Sequence, residues 1–106
     1  MTQTQYQMLL DNLHITYTPD PSTVSRITNE CDAGVAYIRR YGDPGAECEP
    51  GTESGALLCE YVLRAEAGAL ETFQQDFLAD LIQLKALYDV NGFAEAKGYE
   101  EAGQET

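Results

Sequence analysis

The chain has 106 residues, room for one domain with a modest core, and its 43% apolar and 23% charged residues are those of a folding sequence, not of a disordered one. Eighteen acidic residues against six basic ones leave a net charge of −12, which repels nucleic-acid phosphates and anionic lipid and favours basic partners or plain solubility. The opening Met1–Gln5 has neither the cationic start nor the apolar run of a signal peptide, and no stretch reaches membrane-spanning length, so the expected compartment is a cytoplasm, with reduced thiols and no membrane.

Tyr6, Leu9, Leu10 and Leu13 recur at helical spacing and predict a short first helix over about Gln5–Leu13, stopping before the β-branched Ile15-Thr16. In Thr18-Pro19-Asp20-Pro21, Asp20 is a good N-cap and Pro21 suits the first helical position, where a missing N–H costs nothing. Val24, Ile27, Cys31, Val35, Ile38 and Tyr41 then form one long apolar stripe. Arg39 and Arg40 complement the dipole of the last turn, and Gly42 is the expected C-cap.

Gly42–Gly55 reads GDPGAECEPGTESG, with four glycines, two prolines, four carboxylates and no base, which predicts a mobile acidic loop dividing two helical halves. Thr52 or Ser54 is placed to cap a third helix with the stripe Leu57, Leu58, Tyr61, Val62 and Ala65. Ala67-Gly68-Ala69 marks a bend. Beyond it Leu70, Phe73, Phe77, Leu81, Leu84 and Tyr88 give the strongest periodicity in the chain. Asp89–Gly92 is expected to stop that helix and to leave 92–106, with four glutamates against Lys97, as a flexible acidic tail. The predicted fold is therefore all-α, a bundle of about four helices over residues 1–91 with a long acidic loop and a tail over 92–106.

Chemistry is thinly represented. His14, the single histidine, lies near the end of a short helix, where capping or exposure is the ordinary role, and no G-x-S-x-G elbow is present. Cys31, Cys48 and Cys59 form no C-x-x-C pair; Cys31 and Cys59 fall on apolar stripes as small core residues. The carboxylates Asp43, Glu47, Glu49 and Glu53 lack the spacing that wraps calcium, and a loop with no lysine cannot cradle phosphate. Glu60, Arg64, Glu66, Glu71, Asp76 and Asp80 lie off the stripes, as a wet helix face with weak ion pairs or as an interface or channel wall. No catalytic, metal or cofactor residue is nominated, and the expectation is a non-enzyme.

The order of parts, a short helix, a capped long helix, a loop and a helix pair ending in an aromatic-leucine stripe, resembles the head-tail connector (adaptor) proteins of tailed bacteriophages. The resemblance is carried by Leu9-Leu10-Asp11-Asn12-Leu13-His14-Ile15, by Tyr37-Ile38 with Gly42, by Leu57–Arg64, and by Phe73–Leu78 running on through Leu81, Leu84 and Tyr88. It spans about Met8–Val90 and departs from the pattern at Pro19-Asp20-Pro21 and in the length and acidity of the loop. It implies a virion component of the neck, made in a bacterial cytoplasm. Copies of the chain, about twelve, would form a ring below the portal protein, extend the DNA channel without binding DNA sequence-specifically, and present a surface to the next head-completion or tail component. Carboxylates on such a channel wall would keep moving DNA from sticking. The alternative from composition is an acidic DNA-mimic inhibitor of a host DNA-binding enzyme, which needs a dense double row of carboxylates on a rigid face. A small regulatory helical protein with an unidentified ligand is a third reading, with no residue pointing to it.

Overall fold

The structure is a computed structural model that describes residues 1–105, with side chains described through Val90. Four helices follow in order: α1 Gln3–Asn12, α2 Pro21–Tyr41, α3 Glu53–Glu66 and α4 Phe73–Glu105, with a 3-10 turn Leu70–Thr72 leading into the last. The fold is all-α.

Helix α1 starts at Gln3, two residues before the expected Gln5, because Thr2-x-x-Gln5 is a capping box. Thr2 Oγ1 accepts from the Gln5 N–H at 3.1 Å, and Gln5 Oε1 accepts from the Thr2 N–H at 2.9 Å. At its far end the His14 N–H reaches Asp11 O and the Ile15 N–H reaches Leu10 O, with His14 in the left-handed region at φ 59°. That bonding pattern is a Schellman motif, and it recurs after α3, where Gly68 (φ 70°) donates to Ala65 O and Ala69 donates to Arg64 O. The bend expected at Ala67–Ala69 is this second motif.

Helix α2 begins as its sequence prescribes. Asp20 Oδ1 accepts from the Thr23 N–H at 2.8 Å, Pro21 occupies the first turn, and the Gly42 N–H closes the helix on Ile38 O at 2.8 Å. Its inward line is Ile27, Cys31, Gly34 and Ile38, all buried, while Val35 and Tyr37 pack on the core from the side. Gly34 is where α2 meets α3. A Cβ there would stand 2.8 Å from both Leu58 Cδ1 and Tyr61 Cδ1, so only hydrogen lets the helices approach this closely.

The core joins Leu9 and Leu10 of α1 to Ile27, Cys31 and Ile38 of α2, Leu57, Leu58 and Val62 of α3, and Phe73, Leu81 and Leu84 of α4. An aromatic cluster seals one side, with Phe73 edge-on to Tyr37 (5.6 Å) and Tyr61 (5.3 Å) and tilted by 33° against Phe77 (5.1 Å). One turn into α4, Phe77 leaves helical geometry (φ −114°, ψ 15°), which kinks the helix.

Two expectations change. The Gly42–Gly55 segment is tied to the body and is not a free linker: Ala46 and Cys48 are buried, Arg39 Nε donates to Ala46 O (2.8 Å), Gln5 Nε2 to Glu47 O (2.9 Å), and the Cys48 N–H to Ser54 Oγ (3.1 Å). Its glycines and charges hid an Ala-x-Cys pair placed inward. Helix α4 also does not stop at Asp89–Gly92 but runs to Glu105, since neither Asp89 nor Gly92 brings the left-handed turn that ends α3. The acidic character of 92–106 as a flexible tail concerns side chains outside the described residues.

Candidate interaction surfaces

The four loop carboxylates point to separate tasks. Asp43 Oδ1 accepts from the Gly45 N–H at 2.7 Å, Glu49 takes the hydroxyls of Thr2 and Thr4 on its two oxygens, Glu47 is exposed, and Glu53 opens α3. Among the described residues no three His, Cys, Asp or Glu side chains converge enough to hold a metal ion.

His14 serves its backbone position after α1. Its ring, Asp11 and Cys59 line one open depression of about 590 Å³. Burial raises the Cys59 thiol pKa, so that thiol stays protonated and a poor nucleophile. Cys31 and Cys48 are fully buried; desolvation pushes Cys31 up to about 11 and Cys48 upward as well. Cys31 matches its expected core role, Cys59 is half-buried, and Cys48, read from sequence as part of a mobile loop, is as deep as Cys31.

The charges off the apolar stripes sort into two groups. Arg64 bridges to Asp76 and donates to Thr72 Oγ1 (2.7 Å), locking the α3–α4 turn, with its guanidinium 5.0 Å from the Phe77 ring centre. Arg26 grips Glu66 bidentately, with both bonds at 2.9 Å, and stands 3.9 Å from Glu30. Glu30 Oε2 is buried without a hydrogen-bond partner. Burial first, and the neighbouring Glu66 second, push the Glu30 carboxyl up to about 7, whereas the Arg26 bond holds Glu66 low. These pairs are internal struts.

Glu60 and Asp80, by contrast, border a groove between α3 and α4. On α4 itself, Leu78, Ile82, Ala86 and Val90 follow at steps of four and form an exposed ridge on the side away from Leu81 and Leu84, with Ile82 58% and Val90 61% exposed. The strongest periodicity of α4 marks only its inward stripe. The ridge was visible as a second period-four row, but a row of apolar residues on one helix does not say which face meets the core.

No protein-family model, curated protein or solved structure matches this chain at a significant level.

Proposed function

We propose that the chain is a structural head-tail connector of a tailed-bacteriophage neck, assembling as a ring under the portal and joining it to the next component of the head or tail. The observation that carries this reading is the second apolar ridge on α4. A helix apolar on one side packs against its own domain, but one that is also apolar at Leu78, Ile82, Ala86 and Val90 has a further surface to cover, and neighbouring subunits in a ring supply it. The net charge of −12 supports a channel wall that repels passing phosphates. Ordering such contacts costs entropy, so each is weak alone and becomes effective when repeated around a closed ring.

Light scattering of the purified protein with and without portal rings, at low and moderate salt, tests the proposal. Stoichiometric association in a closed multiple supports it. Failure to join any portal, together with tight capture of a DNA-binding enzyme, replaces it with the DNA-mimic reading.

A further inference from the structure

Helices α3 and α4 form an antiparallel hairpin, and the groove between them encloses about 270 Å³. Its floor is apolar, made by Leu57 of α3 and by Phe77 and Leu84 of α4, with exposed Ala56 at its edge. Its rim is acidic on both walls. Glu53 and Glu60 stand seven residues apart on one face of α3, about 10 Å along the axis, and Asp80 stands on α4. No lysine or arginine lines the groove, and among the described residues none of these three carboxylates is in an ion pair.

We infer that this groove docks a basic amphipathic helix of a partner protein, one that carries Lys or Arg at positions i and i+7 around an apolar anchor at i+3 or i+4. The volume lies just below the roughly 300–1,000 Å³ of small-molecule sites and suits one or two inserted side chains. The three carboxylates do not converge on a point, as a metal ion would require. Spread along two walls, they match cationic heads whose alkyl stems lie on an apolar floor. Nucleic acid is repelled by the same rim, and a second copy of the chain has no two basic residues seven apart to offer it. Charge complementarity therefore selects a basic protein segment. The inference concerns the chemistry of a partner and does not depend on the virion reading, because a basic helix docks here whether the chain sits in a neck or in another assembly.

Two synthetic helical peptides of about 15 residues, with the same leucine pattern and either lysine or glutamate at i and i+7, provide the probes for the full chain in NMR titrations. The lysine peptide should shift the resonances of Ala56, Leu57, Phe77 and Leu84, and the glutamate peptide should not bind. E53Q/E60Q/D80N should weaken binding about tenfold or more. E47Q/E71Q/D89N, which removes as much charge elsewhere, should change it less than about twofold. Ala56→Trp, which fills the floor from an exposed position, should abolish binding with the helical circular dichroism intact. Equal losses in the two charge triples, shifts confined to residues outside the groove, or full binding by the Trp variant would each overturn the inference.

Discussion

Gly34 of α2 sits against Leu58 of α3 so closely that a methyl carbon on it would lie 2.8 Å from Leu58 Cδ1, and Leu58 is fully buried with little room to turn away. Gly34→Ala gains about 1 kcal/mol of helix propensity but overpacks the crossing, which costs about 1–3 kcal/mol. The expected outcome is a net loss of about 1 kcal/mol in urea denaturation. A variant more stable than the parent would show that the helices part without cost.

The two Schellman motifs make opposite predictions. His14 holds φ 59° with a Cβ, so His14→Gly should stabilise by about 0.5–1 kcal/mol. Gly68 holds φ 70° with open space around its Cβ direction, so Gly68→Ala is strained only through its backbone and should destabilise by about 1 kcal/mol. Thermal melts of both variants check the pair, and matching signs would refute the assignment.

These positions also mark how much the sequence discloses. Asp20-Pro21, Gly42 and Thr52 act locally, through hydrogen bonds within a few residues, and each does in the structure what its neighbours in sequence imply. Gly34 acts through Leu58 and Tyr61 of another helix, and a glycine inside an apolar stripe carries no periodic signal of its own. Cys48 is hidden for the same reason: its burial depends on Gln5 and Arg39 reaching across to Glu47 and Ala46, contacts that loop composition does not encode. For the groove, Glu60 and Asp80 were legible as polar positions on separate helices. Their placement on facing walls follows only from the antiparallel turn that Gly68 and the Arg64–Asp76 bridge fix.

Gln5 is a polar side chain only 6% exposed, and it works twice, closing the capping box on Thr2 and holding the loop at Glu47 O. Gln5→Ala leaves that carbonyl and the Thr2 N–H without their partner, a loss of about 1–2 kcal/mol. Amide hydrogen exchange should accelerate through residues 43–52 more than in α3. Unchanged exchange in that segment would mean that Arg39 and Ser54 hold it alone.

Glu30 supplies a pH dependence whose sign is fixed. Its carboxyl binds a proton up to about pH 7 in the folded chain, against 4.5 as the reference for the unfolded one, so between these values the folded state holds more protons. The stabilisation is full below pH 4.5 and is lost as pH rises through about 7. Glu66, held low by Arg26, contributes above its ordinary range and loses that contribution in acid, below the Glu30 window. Glu30→Gln, a neutral isostere, should therefore equal the parent near pH 5 and exceed it near pH 8 in urea midpoint. Parallel stability curves for the two proteins across that window would assign the buried Oε2 no titration of its own.

The ridge on α4 separates folding from assembly. Ile82 is 58% exposed and lies on the side of the helix away from fully buried Leu81, so Ile82→Glu removes no core contact and should alter monomer stability by no more than about 0.5 kcal/mol. In a ring the same glutamate would be buried against a neighbour without a partner charge, at a cost that recurs at every interface. The expected result is a monomer with native circular dichroism that no longer joins portal rings in light scattering, whereas Glu71→Gln, exposed before α4, leaves joining unchanged. If Ile82→Glu assembles like the parent, the ridge is not the subunit contact and the connector reading loses the observation on which it stands.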